Sequence, residues 1–236
     1  MDNLRYAGRR AILGLSLAAG GLIAIHPRAV VAGKAEEKEV GAVEDLMREH
    51  GVLRRALLVY SETATKLRGN TAIDPKPIQT TAQLFRSFGE DYHEQKLEEA
   101  HIFPMVAKTG GPAATLVDTL KQQHDRGREI TAYILSVTGK GAIGTGDVEP
   151  MARAFETFVL MYRNHAARED TVVFPAWKEA LSARQLREMG DKFENIERQQ
   201  FGHDGFEDAV KQMAQIEQAL GFADLAQFTA PAPPKT

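Results

Sequence analysis

Two stretches of the chain set histidines and carboxylates at matching distances ahead of a proline. One reads His93-Glu94-Gln95-Lys96-Leu97-Glu98-Glu99-Ala100-His101-Ile102-Phe103-Pro104. The other reads His165-Ala166-Ala167-Arg168-Glu169-Asp170-Thr171-Val172-Val173-Phe174-Pro175. Glu98 and Glu169 each stand six residues before their proline. Each unit is preceded by a further histidine, His50 or His124. The separations agree: 74 residues from 50 to 124, 72 from 93 to 165, and 71 from 98 to 169. Imidazole nitrogens and carboxylate oxygens are ligands that iron, manganese and zinc all accept, and a carboxylate can bridge two ions. A duplicated helical hairpin with His, His and Glu in each copy is what a two-metal site inside a helix bundle requires. The candidate metal ligands are His50, His93, Glu98, His124, His165 and Glu169.

The spacing inside each unit tests that idea. His165 and Glu169 are four residues apart, ~40° around an ideal helix, so both face one way. His93 and Glu98 are five apart, ~140° in an ideal helix. The extra residue falls between them, because Glu98 keeps its distance from Pro104. A local π-bulge would restore the alignment, and such bulges favour functional sites. Glu94, beside His93, is the alternative ligand on this helix. His101 completes Glu98-x-x-His101, an element of ferritin-like di-iron bundles. The second unit has no counterpart, since Tyr162 lies three before His165 and Val172 three after Glu169. His101 and His203 are therefore read as ordinary partly buried or surface groups. Glu99 and Asp170 read as partners behind the ligands or as solvated charges. Tyr162, one turn before His165, reads as a buried aromatic whose hydroxyl could approach the metals.

The elements that must carry these residues are all helical. Val40, Val43, Leu46, Met47, His50, Leu53, Leu57 and Leu58 recur at helical spacing and predict a helix over 39–68. Further helices are expected over 78–107, 112–138 and 148–178, broken by Gly110-Gly111 and by the glycine-rich 139–146. Ser182 is a good N-cap for a fifth helix over 183–200, and Gly202 separates it from a sixth over 204–220. No segment shows strand periodicity. Four long helices with short connections give an all-α, up-down-up-down four-helix bundle over 39–180. One or two extra helices follow within 181–222, and 223–236 reads as a flexible, proline-rich tail.

Composition narrows the chemistry. The chain has 236 residues and no cysteine, which excludes disulfides, thiolate zinc sites, iron–sulfur clusters and cysteine nucleophiles. A net charge of −3 supplies no basic footprint for nucleic acid. Residues 1–32 read as an export signal: Arg9-Arg10, a soft apolar run from Ala11 to Ile25, then Val30-Val31-Ala32. The run is short for a spanning helix. Gly8-Arg9-Arg10-Ala11-Ile12-Leu13 resembles a twin-arginine signal, with ordinary secretion or an uncleaved anchor as alternatives. Residues 33–38 form a linker. The expected location is periplasmic or otherwise exported, with no stable membrane insertion after cleavage.

Over about residues 40–180 the pattern resembles the hemerythrin-like, or HHE cation-binding, family. Its most specific piece is His165-x-x-x-Glu169-Asp170-x-x-x-Phe174-Pro175. The resemblance implies a four-helix bundle around two non-haem iron ions, with Mn or Zn as possible substitutes. Glu98 and Glu169 would bridge the ions, and His50, His93, His124 and His165 would be divided between them. Oxygen carriers of this family have a fifth histidine four residues after the third-helix one. Here that position is Arg128, which implies a four-histidine site. The expected ligand is O2 or another small diatomic or peroxide, bound or reacted with for sensing, storage or protection. Alternatives are a ferritin-like di-iron redox enzyme and a mononuclear metal-binding bundle. The last two helices are expected to cap the bundle or to mediate a homo-oligomer.

Overall fold

The computed structural model describes residues 40–69 and 71–234. The expected export signal and linker lie outside the described residues. Among the described residues there are six helices and a short 3-10 turn, with no strand.

Helix α1 is Ala42–Arg68, with Glu44 and Asp45 in its first turn and Lys66 and Arg68 in its last. That arrangement of charge complements the helix dipole. Its buried stripe includes Leu46, His50, Leu53, Leu57, Tyr60 and Ala64. The helical spacing thus places a histidine in the middle of the apolar face. Helix α2 covers 75–109 in three parts: an α-helical Pro75–Leu84, a π-helical Phe85–Ile102 and an α-helical Phe103–Thr109. It begins three residues before the expected 78, because Asp74 caps it by accepting from Lys76 N–H, with Pro75 in the first turn. Helix α3 is Gly111–Thr138. Helix α4 covers 148–179 as Val148–Arg168, a π-helical Glu169–Val173 and Phe174–Glu179.

These four helices form the bundle, with α1 packed most extensively along α4. Its core has two regions of different character. Tyr60, Phe85, Phe155 and Phe158 are fully buried and stack on one another, Tyr60 on Phe155 at 4.9 Å and Phe85 against Phe158 at 5.0 Å. Ten residues back along α1, the core becomes polar. His50, His93, Glu98, His124, His165 and Glu169 are all buried there.

Helix α5 (Ala183–Phe201) starts with a capping box between Ser182 and Gln185, as the sequence suggests for Ser182. Helix α6 is Gly205–Leu220. Both pack on the bundle. Trp177 of α4 stacks on Phe193 of α5 at 5.7 Å, and Phe201 meets Tyr92 at 5.3 Å. Arg55 of α1 forms two hydrogen bonds to Glu217 of α6, at 2.8 and 2.6 Å. A 3-10 turn, Leu225–Phe228, falls in the stretch read as tail.

Candidate metal centre

The local backbone explains how the two units present their carboxylates. The Phe103 N–H donates to the Glu98 carbonyl and the Phe174 N–H to the Glu169 carbonyl, both five residues back. Pro104 and Pro175 follow directly. A proline has no N–H to offer, and its ring crowds the carbonyl four residues earlier. The wider turn ahead of each proline relieves that crowding. It also explains why both glutamates keep the same distance from a proline. The π-turns bring His93 and Glu98, five residues apart, onto one face. The π-helical stretch in α2 is 18 residues long, far more extensive than the single bulge expected from spacing.

The side chains converge from all four helices. Glu98 Oε1 lies 3.3 Å from His93 Nε2 and 4.0 Å from His50 Nε2, while its Oε2 lies 3.3 Å from His124 Nε2. Glu169 is arranged likewise. Its Oε2 lies 3.5 Å from His50 Nε2 and its Oε1 3.0 Å from His165 Nε2, with His124 Nε2 at 4.0 Å. The Nε2 atoms of His124 and His165 are 3.0 Å apart. The structure therefore brings together all six residues selected from the sequence. They divide into a His50–His93 half and a His124–His165 half, with one oxygen of each glutamate turned toward each half.

The fit to cations rests on polar atoms that are otherwise unexplained. Both oxygens of Glu98, both oxygens of Glu169 and His93 Nε2 are buried without a hydrogen-bond partner. A buried carboxylate without a partner is costly, and a cation removes that cost. Two groupings are close enough to hold an ion, Glu98–His124–His165–Glu169 and His50–His93–Glu98. A third, Glu94–Glu99–His124, shares His124 with the first.

Behind the cluster, every histidine Nδ1 is engaged. His50 Nδ1 meets Asp170 at 2.7 Å, His124 Nδ1 meets Glu99 at 2.8 Å, and His165 Nδ1 meets Gln123 at 3.0 Å. His93 Nδ1 contacts Glu49, whose other oxygen accepts from the Tyr92 hydroxyl at 3.1 Å. Such contacts fix ring orientation and leave Nε2 pointing inward. Glu99 and Asp170 are legible as partners because they follow Glu98 and Glu169. Glu49 and Gln123 were missed. Their signal is that each directly precedes a matched histidine.

Electrostatics follow from this crowding. Burial alone would lower the His93 pKa, but Glu98 and Glu49 raise it well above the ordinary histidine value. Burial opposes protonation of His124 too, and Glu94, Glu98 and Glu99 raise it. Burial would raise the Glu98 pKa, yet His93 and His124 hold it well below the carboxylate range.

Three other residues have different surroundings. Glu94 accepts from the Tyr162 hydroxyl at 2.6 Å and lies 3.6 Å from Arg128. It lines the small cavity at the centre along with His50, His93, Glu98, His165 and Glu169, but turns to Tyr162 and Arg128 rather than standing between the histidine pairs. His101 lies against Lys192 and Phe193, away from the centre, and His203 pairs with Asp208 at the surface.

Comparison with known proteins agrees with this geometry. A family model described as the hemerythrin HHE cation binding domain matches residues 41–177. Uncharacterized proteins of Mycobacterium bovis and Mycobacterium tuberculosis are 39% identical over 233 residues, covering 94% of this chain and 91% of their own length. No solved structure matches the chain.

Proposed function

From the chain's membership of the hemerythrin HHE cation-binding family, we propose that it is an exported non-haem di-iron protein that binds or reacts with O2, peroxide or nitric oxide. Sensing, storage or protection is the role that such binding would serve. The observation that carries this reading is the pair of buried glutamates, Glu98 and Glu169, each turning one unpartnered oxygen toward each pair of histidines. His50 and His93 would hold one ion and His124 and His165 the other, with the glutamates bridging. Two iron ions, when bound, would supply paired one-electron redox chemistry toward a small ligand.

The rest belongs to this chain's own residues. Leu53, Leu57, Ala166, Tyr162 and Glu94 wall the central cavity, which His50, His93, Glu98, His165 and Glu169 also line. It is small, close to the least space that one water needs. An outer groove between α1 and α4, lined by Leu58, Ser61, Val159 and Arg163, shares Arg54 and Leu57 with the inner cavity and offers a path from solvent. Tyr162 and Glu94 place a hydrogen-bonding pair beside Leu53, Leu57 and Ala166, where a polar ligand would be oriented.

The ferritin-like alternative needs paired Glu-x-x-His elements at the metals. Both Glu-x-x-His elements of this chain lie on α2 rather than on two helices. Glu98-x-x-His101 puts His101 outside the cluster, and in Glu90-x-x-His93 the glutamate pairs with Thr131 and Arg86.

Metal analysis of protein isolated from its own compartment, with an absorption spectrum in air, tests this reading. About two irons per chain with near-ultraviolet bands of paired ferric ions is the expected result. Zinc, or one metal per chain, would overturn the di-iron assignment. Mixing reduced protein with peroxide should give a single stoichiometric change, whereas sustained consumption in the presence of a reductant would mark a turnover enzyme.

A further inference from the structure

The centre has an internal two-fold relation that exchanges α1 with α3 and α2 with α4. It pairs His50 with His124, His93 with His165 and Glu98 with Glu169. The outer partners follow the same exchange. Asp170 on His50 corresponds to Glu99 on His124, and Arg54 on Asp170 corresponds to Arg128 on Glu99. One correspondence is broken. The acceptor on His93 Nδ1 is the carboxylate of Glu49, while the acceptor on His165 Nδ1 is the neutral amide of Gln123.

We propose that this substitution makes the two halves chemically inequivalent, so that the His50–His93 half binds its metal first and more tightly. The proposal rests on the two-metal reading above. A carboxylate draws on an imidazole N–H more strongly than an amide oxygen does, which makes the opposite nitrogen a better donor. Glu49 is fully buried, so little solvent screens it, whereas Gln123 is partly exposed. The Tyr92 hydroxyl, at 3.1 Å, holds the Glu49 carboxylate in place. Of the other buried carboxylates nearby, Glu94 faces Arg128 and the Tyr162 hydroxyl rather than a ligand Nδ1. The Glu49–Gln123 contrast is therefore the asymmetry that acts directly through a ligand ring. Both histidines of the favoured half line the central cavity, whereas of the other pair only His165 does.

Calorimetric titration of metal-free full-length protein with Co2+ separates the two halves. The wild type is expected to take up two ions in resolved steps. Changing a direct outer partner typically costs ~10- to 100-fold in affinity. Glu49→Gln should weaken the first step by about that factor and merge the two. Gln123→Glu, at a partly exposed position that tolerates the change, should strengthen the second step and merge them from the other side. Two equal steps in the wild type would overturn the proposal while leaving two-metal binding intact. So would resolved steps unaffected by Gln123→Glu. Uptake of fewer than two ions by the wild type would overturn the two-metal reading itself.

Discussion

Arg128 pairs with Glu99, the carboxylate that engages His124 Nδ1, from a position one helical turn past His124 on the same helix. Arg54 does the same for Asp170 and His50, again from four residues on. The arginine found where oxygen carriers of the family have a fifth histidine thus supports a ligand from behind. Arg128→Ala would leave Glu99 without its cation and loosen His124. We expect weakened binding in one half, by less than the ~10- to 100-fold typical of a direct partner, with two metals still bound at saturation. Cobalt titration of Arg128→Ala and Arg54→Ala checks this. Complete loss of one metal in either variant would show that the arginine does more than hold the outer carboxylate.

Glu98 and Glu94 are both buried on α2, but only Glu98 lies between the histidine pairs. Glu98→Ala and Glu169→Ala should each prevent uptake of two metals. Glu94→Gln should leave the stoichiometry at two and change only ligand binding in the cavity. Metal analysis of the three purified variants decides. If Glu94→Gln and not Glu98→Ala lost metal, the assignment on α2 would be reversed.

Acid and metal compete for the same atoms. His93 and His124 have raised pKa values in the folded, metal-free protein. The stability they contribute is complete below the unfolded histidine pKa of ~6.5 and is lost as pH rises through their folded values. Metal takes over as those protons leave, so stabilisation by metal should grow with pH over that window. Thermal melts of metal-free and zinc-loaded protein at successive pH values would show a widening gap. A gap that narrows as pH rises would contradict the proton-for-metal exchange.

Glu90, buried beside the centre, accepts from Thr131 at 2.5 Å and pairs with Arg86 at 2.7 Å. Burial pushes its pKa up to about 7 despite these partners. A raised pKa means stability present in full below the unfolded value of ~4.3 and lost as pH rises to about 7. Relative to wild type, Glu90→Gln should therefore gain on the order of 2 kcal/mol between pH 5 and pH 8. Urea unfolding of both proteins at the two pH values measures the difference, and a constant offset would rule out the ionisation.

Gly127 lies mid-helix in α3, where alanine would ordinarily stabilise by about 0.5–1 kcal/mol. Here a Cβ would stand 2.1 Å from the Tyr162 hydroxyl and 2.9 Å from its ring. Gly127→Ala should instead destabilise, by roughly 1–3 kcal/mol, and displace Tyr162 from Glu94. Chemical denaturation checks the sign, and a stabilised variant would show that Tyr162 moves freely.

The sequence by itself determined the helices, because hydrophobic spacing of 3.6 residues and breaks at Gly110-Gly111 and 139–146 are local signals. It also singled out six residues by duplication, His50, His93 and Glu98 repeated as His124, His165 and Glu169, which the fold brings together. The five-residue step from His93 to Glu98 implied a wider helical turn, since a ligand pair must share a face. Only the tertiary structure decided what stands behind each ligand. Glu49 and Gln123 each directly precede a matched histidine, but they lie more than 40 residues from His93 and His165, and only the packing of the helices shows which ring each meets. It also decided that Arg128 supports Glu99 and that Glu94 turns to Tyr162. Those outcomes depend on which helices lie side by side, and so on the packing of the bundle rather than on any one segment of the chain.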